Sequence, residues 1–252
     1  MKIAFVVYPD FTALDLVGPC EFICRWPDVD IHFVASTAGP VAADSGLTVV
    51  PTDTPKSLSD PDLIVVPGSG NPLPVLEDRA LIDWLRATAP GCRWTASVCT
   101  GAGLYAAAGL LEGKKSSTHW AFRDVVRAYG VEVVEERVVW QGSHISCAGV
   151  SAGIDMALAL SERVHGRDLA EALQLANEYD PQPPFDKGSL EKADSATERR
   201  AMQVLMAYAG VNRMQVATQM GRAIIRARIA RARRALGGGR VSNGKVANHG
   251  TA

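Results

Sequence analysis

Aromatic residues are scarce in this chain, at 6% of 252 residues, and neither sign of charge dominates, with 26 Lys and Arg against 27 Asp and Glu. A formal net charge of −1 gives no global pull toward nucleic acid or an anionic membrane. No apolar run approaches the ~20 residues of a membrane-spanning helix. Met1-Lys2 leads straight into Ile3-Ala4-Phe5-Val6-Val7 and then Pro9-Asp10, too short a core for a secretory signal, and reads as a strand. The five cysteines (Cys20, Cys24, Cys92, Cys99 and Cys147) are odd in number and form no CxxC pair, as expected of reduced thiols in a cytoplasm. Cys20 and Cys24 stand one helical turn apart without a histidine cluster, so they read as core residues rather than metal ligands. The glycine-rich Pro67-Gly68-Ser69-Gly70-Asn71 lacks the Lys-Ser/Thr of a phosphate loop and the GxGxxG pattern, which weighs against nucleotide binding.

What is present is a chain with 47% apolar residues, enough for a full core. Strand-like runs at 3–8, 29–36, 63–66 and 94–98 alternate with helical patterns at 17–25, 81–88, 100–111 and 120–129. Shorter strands are expected at 116–118, 131–134, 137–140 and 144–146, the last two joined by a hairpin at Gln141-Gly142-Ser143. Helices at 152–165 and 167–179 follow. This order predicts an α/β fold with a mostly parallel sheet covered on both faces. Ligands of such sheets gather at the carboxyl ends of the strands.

One junction carries the chemistry. The apolar run Trp94–Val98 ends at Cys99, and a small-residue helix begins at once with Thr100-Gly101-Ala102. Small residues at Ser97 and Gly101 around Cys99 parallel a nucleophile elbow, in which a tight strand-to-helix turn presents the nucleophile. Free amides and the helix dipole at that point predict a thiol pKa below the ordinary value. A buried structural cysteine is the competing reading. In the loop after the first strand, Asp15 lies between Leu14 and Leu16, either as a cap of the following helix or as an acid–base group beside the sulfur. Backbone amides of Gly68 and Ser69, with that of Thr100, are expected to form an anion hole. His119, at a helix start, reads as a hydrogen-bonder or a base.

These residues resemble the ThiJ/PfpI superfamily over about residues 1–193. The likeness rests on Asp15, Pro67-Gly68, Ser97-Val98-Cys99-Thr100-Gly101-Ala102, Lys115-Ser116-Ser117-Thr118-His119-Trp120, Ser151-Ala152-Gly153-Ile154-Asp155 and the segment 178–189. The resemblance implies a flavodoxin-like three-layer sandwich of the class I glutamine amidotransferase type. Within the superfamily the motifs look most like the isonitrile hydratases, and also like the sensor domains of AraC-type regulators. Protease-like members carry histidine directly after the nucleophile, where this chain has Thr100. The implied reaction is hydration of an isonitrile to an N-substituted formamide through a thioimidate on Cys99. Asp15 would serve as proton donor and Thr100 as a supporting residue. Gly68, Ser69, Gly70, His119, Gly149 and Val150 would line the pocket. The resemblance implies no cofactor and no metal, a small electrophile as the partner, and a homodimer. A glyoxalase-like enzyme acting on small reactive aldehydes, and a ligand- or redox-sensing module, are the alternatives.

Residues 194–236 read as a helical extension rich in arginine (Arg222, Arg226, Arg228, Arg231, Arg233 and Arg234). The expected role is a surface helix docked on the domain or on a dimer partner, dispensable for catalysis. Nucleic-acid contact is the sharper alternative, but about 40 residues are short for an AraC-type DNA-binding domain. Residues 237–252 are small and polar and read as a disordered tail.

Overall fold

A computed structural model describes residues 1–209 and 213–238. The chain runs β1 (Lys2–Val6), α1 (Ala13–Ile23), β2 (Asp30–Val34), then the short β3 (Val41–Ala42) and β4 (Thr48–Val49). Next come β5 (Leu63–Val66), α2 (Arg79–Thr88), β6 (Trp94–Val98), α3 (Ala102–Ala107), β7 (Lys115–Ser116) and α4 (Arg123–Ala128). The short β8 (Glu132–Val133) precedes β9 (Val138–Gln141), β10 (His144–Cys147), α5 (Ala152–His165) and α6 (Arg167–Ala176). Two helices follow, α7 (Ser195–Tyr208) and α8 (Arg213–Gly238). Gly237 and Gly238, expected to open a disordered tail, close α8 instead, and the rest of that tail lies outside the described residues.

The central sheet has six strands in the order β2-β1-β5-β6-β10-β9. All neighbours are parallel except β10 and β9, which form the antiparallel hairpin expected around Gly142. Continuous burial explains the sequence of β5: Leu63, Ile64, Val65 and Val66 are all fully buried, as a central parallel strand requires. Helices flank the sheet, with α1 packed on α5 and α5 on α6, and with α3 in contact with both α2 and α4. This is the flavodoxin-like α/β sandwich with additional C-terminal helices.

The order in which strands are added reverses at β1, whose connection runs to β2 on one side while β5 lies on the other. Such a switch point opens a crevice beyond the strand ends. The loops leaving β1, β5 and β6 meet there. Phe11 bridges both Ala43 and Ser69, and the Tyr8 hydroxyl donates to Pro67 O at 2.8 Å, so the β1 and β5 loops are tied together.

Helix α1 begins at Ala13, four residues before the expected start at Val17, with Thr12 at its N-cap. Asp15 is therefore inside the first turn and is not a cap. The expected helix at 100–111 is shorter: a single 3-10 turn at Cys99–Gly101 leads into six residues of α3.

Candidate active site

Cys99 occupies the left-handed region, with φ of +57°, at the end of β6. For a residue with a Cβ this conformation costs on the order of 1–3 kcal/mol and persists only where neighbours impose it. Here they do. The Thr118 hydroxyl donates to Cys99 O at 2.8 Å. Gly101 lies so close to the end of β5 that a Cβ there would sit 2.3 Å from Val66 O and 2.7 Å from Pro67 O. Only glycine allows the elbow to nest against that strand.

Asp15 is completely buried. Its Oδ2 accepts the Gly68 N–H at 2.8 Å, while the Thr12 N–H donates to Gly68 O, also at 2.8 Å. The first turn of α1 is thus locked to the β5 loop through one residue. A Cβ on Gly68 would fall 2.7 Å from Asp15 Oδ2 and 2.6 Å from Thr100 N, so this glycine is required for the carboxyl and the elbow to approach. Oδ1 of Asp15 is buried without a hydrogen-bond partner of normal geometry among the described residues. The Cys99 thiol is close enough to this carboxyl for each to shift the other's titration.

Burial pushes the Asp15 pKa up to about 7, against the pull of the Gly68 amide and of Cys99, with Asp44 adding to the rise. The thiol behaves opposite to the expectation from the helix dipole. Burial first, and the Asp15 carboxylate second, push Cys99 well above an ordinary thiol, and the favourable Thr100 N–H does not offset them. A helix of six residues offers little dipole against complete desolvation.

The expected anion hole also differs. The Gly68 N–H is taken by Asp15, and the Ser69 N–H donates to Thr100 Oγ1 at 2.8 Å. Thr100 returns the bond, its hydroxyl donating to Ser69 O at 3.0 Å. Thr100 therefore braces the β5 loop against the elbow, and its own N–H is the amide that interacts with the Cys99 sulfur.

Ser69, Gly70, Cys99, Thr100, His119 and Val150 line one cavity of about 240 Å³. Asp15 and Gly68 lie behind its floor, and Gly149 sits beside the His119 ring, 3.8 Å separating a Cβ placed there from Cδ2. Burial, with Arg123 nearby, lowers the His119 pKa to about 4. Its Nδ1 accepts the Ala121 N–H at 3.3 Å, so the neutral ring carries its proton on Nε2. At neutral pH His119 is an uncharged ring that donates from Nε2, its Nδ1 lone pair being taken by the Ala121 N–H.

The cavity has walls that the sequence reading did not place. Met202, Leu205, Met206 and Tyr208 of α7 and Gln219 and Met220 of α8 line it together with Leu73 and Phe122. The C-terminal extension, expected as a surface helix docked on the domain or on a dimer partner, also lines this cavity. The Tyr208 hydroxyl donates to Asp44 Oδ1 at 3.1 Å, and Thr12 Oγ1 donates to Asp44 Oδ2 at 2.7 Å. Asp44, in the turn between β3 and β4, fastens α7 to the loop before Asp15. Arg231 and Arg234 pair with Glu112, and Arg226 with Glu77, so three of the seven α8 arginines hold the helix to the domain. Among the described residues no group of three or more His, Cys, Asp or Glu side chains is arranged to hold a metal ion.

Comparison with known proteins agrees with this architecture. A protein of Pseudomonas putida named isonitrile hydratase is 41% identical over 196 residues, covering 78% of this chain and 86% of its own length. A Pseudomonas aeruginosa transcriptional regulator of the HTH type, CdhR, is 29% identical over 66% of this chain, which spans about half (51%) of that regulator. The crystal structure of a ThiJ/PfpI family protein from Pseudomonas syringae superposes with a TM-score of 0.80 at 34% identity, over 88% of this chain and 90% of that one. Schizosaccharomyces pombe DJ-1, at 18% identity and a TM-score of 0.62 over 72% of this chain and all of its own, shares the fold. The DJ-1/PfpI family model matches residues 1–163, the whole of the sandwich through β10 and nearly all of α5, and this chain belongs to that family.

Proposed function

We propose that this protein is an isonitrile hydratase that converts an isonitrile and water into an N-substituted formamide on Cys99. The observation that carries the reading is the pair of an elbow thiol that lines a largely apolar cavity and a buried carboxyl behind it, one oxygen of which lacks another partner. Likeness to the Pseudomonas putida hydratase supports it.

The chemistry follows from the titration of the pair. A thiol held well above its usual pKa stays protonated in the free site, and Asp15, raised to about 7, is the member of the pair that ionises. As the terminal isonitrile carbon approaches, the Asp15 carboxylate takes the S–H proton and sulfur bonds to carbon. The resulting carboxylic acid returns that proton to the same carbon, giving R–N=CH–S–Cys99. Water adds to this carbon with one proton passing to nitrogen, the C–S bond breaks, and the proton remaining from water ends on the sulfur–carboxyl pair. The sum is R–NC plus H₂O giving R–NH–CHO, with Cys99 regenerated. Thr100 holds the β5 loop and directs its N–H at the sulfur, while the His119 Nε2–H is available to the substrate nitrogen. The same reading makes the protein a cytoplasmic homodimer that needs no cofactor.

Formamide production from an aryl isonitrile by the purified protein, with Cys99→Ala and Asp15→Asn alongside, tests it. Loss in both variants is the expected result. Absence of turnover in the unaltered protein, with Cys99 still open to alkylation, rejects the hydratase and turns the assay to glyoxals. The likeness to CdhR favours a sensor as the second reading. Salt-sensitive DNA binding would support it; yet three of the α8 arginines already answer Glu77 and Glu112.

A further inference from the structure

The cavity over Cys99 is bounded on two sides by different kinds of structure. Its floor comes from the sheet loops within residues 1–163, which the family model covers. Another part of the wall comes from α7 and α8, which lie beyond it, and consists mainly of Met202, Leu205, Met206 and Met220 with Tyr208 and Gln219. No Asp, Glu, Lys or Arg is among the residues that line this space. A charged group entering it would lose its hydration without a counter-charge, at a cost far above that of an apolar group. The volume of about 240 Å³ exceeds the ~150 Å³ that admits benzene in an apolar protein cavity.

We propose that α7 and α8 form the subsite that selects the organic substituent of the substrate. They would take an uncharged apolar group of roughly substituted-benzene size while the reacting carbon meets Cys99. This rests on the isonitrile reading for the identity of the reacting group, but not for the wall itself. Methionine suits the task, since its unbranched, polarisable side chain fits itself to irregular shapes. The wall is held in register by two clasps. Tyr208 grips Asp44 at the C-terminal end of α7. On α8, Ala223 and Ala227 are buried, and Arg231 and Arg234 fold over Gly130 and Gly109 to reach Glu112. Each of these glycines has positive φ, and a Cβ on Gly130 would meet Arg231 Nε at 2.9 Å.

The test uses the full chain with Leu205→Trp, which fills the cavity, and Met206→Ala, which widens it. The readout is the ratio of kcat/KM for phenyl isonitrile to that for methyl isonitrile, with para-carboxyphenyl isonitrile as the charged probe. Leu205→Trp should lower the phenyl-to-methyl ratio by about ten-fold or more, the scale on which apolar pockets discriminate size. Met206→Ala should move the preference toward naphthyl isonitrile, and the carboxylate should be rejected by the unaltered protein by about 100-fold. A second readout needs no turnover: alkylation of Cys99 by iodoacetamide against N-phenyl iodoacetamide, followed by peptide mass. If hydration is absent but this ratio shifts in the same directions, the isonitrile reading fails and the wall stands. If both ratios stay within two-fold of the unaltered protein in variants that keep its melting temperature, the proposal is overturned. Should Leu205→Trp fail to fold, Leu205→Phe and Met206→Ala decide it by the same ratios.

Discussion

At the floor of the cavity an added Cβ on Gly68 or Gly101 would meet protein atoms within 2.3 to 2.7 Å, and the amides of Gly68 and Ser69 both donate to side chains. At the roof, methionine and leucine side chains face the same space, and the helices that carry them are tied down by half-exposed ion pairs and one tyrosine. The floor is built from backbone in one permitted arrangement, whereas the roof is built from side chains with rotational freedom. A nucleophile held at φ +57° needs the first kind of construction. A surface that must fit a variable substituent is better served by the second.

The sharpest way to break this comparison is at the floor. Cys99→Ala should abolish formamide production, by at least ~10⁴-fold, with little loss of folding, read by steady-state kinetics and thermal melting. Gly101→Ala should be the most damaging small substitution for the fold, because its Cβ meets two carbonyl oxygens of the β5 end. A loss of ~3 kcal/mol or more in denaturant unfolding is expected, or no soluble protein at all. If Gly101→Ala melts like the unaltered protein, the elbow is not as rigid as its contacts imply.

Asp15 sharpens the contrast through pH. With its pKa near 7, kcat/KM should fall on the acid side of about pH 7, as the thiol–carboxyl pair becomes fully protonated. In Asp15→Asn both that limb and most of the rate should go. The folded carboxyl binds its proton more tightly than the unfolded chain does, with an ordinary value of about 3.9, so stability declines as pH rises from about 4 to about 7. Asp15→Asn should therefore raise Tm at pH 8 by at least ~4 °C, with the gain shrinking toward pH 5. An equal Tm difference at both pH values would contradict a buried carboxylate at this point.

The roof should respond weakly. Tyr208→Phe removes a partly exposed hydrogen bond to Asp44 and should cost under ~1 kcal/mol, while altering KM for bulky isonitriles more than kcat. Glu112→Gln, which deprives Arg231 and Arg234 of their shared carboxylate, should cost about 0.5 kcal/mol in chemical unfolding and less at high salt. A roof substitution as costly as Gly101→Ala would erase the difference between floor and roof.

The same division governs what could be read from the sequence. The run Leu63–Val66 closed by Pro67-Gly68, and the step from Val98 into Cys99, are local patterns, and the structure has both a buried central strand and an elbow at those places. The start of α1 was less legible, since Ala13 and Leu14 extend the helix upstream of the more regular pattern from Val17. The thiol's raised pKa is not legible locally, because chain order shows a helix start but not the burial around it. Asp44 lies between two strands of two residues each, too short to leave a period. Its bond to Tyr208 joins positions 164 residues apart, and no local pattern encodes it. The roof escaped notice for that reason too. Met202, Leu205 and Met206 fit a helix docked anywhere, and only their meeting with Ser69 and Cys99 gives them a use.

The five free thiols also rank themselves by access. Cys24 is exposed, Cys20 and Cys92 are partly covered, and Cys99 and Cys147 are buried. A broad water-soluble thiol label therefore reaches Cys24 first and Cys99, the nucleophile under the proposed function, among the last. Proteome-wide profiling with such labels would file this protein under a bystander cysteine. A probe whose warhead rides on a neutral hydrophobic ring would, under the proposed function, invert that order and report Cys99.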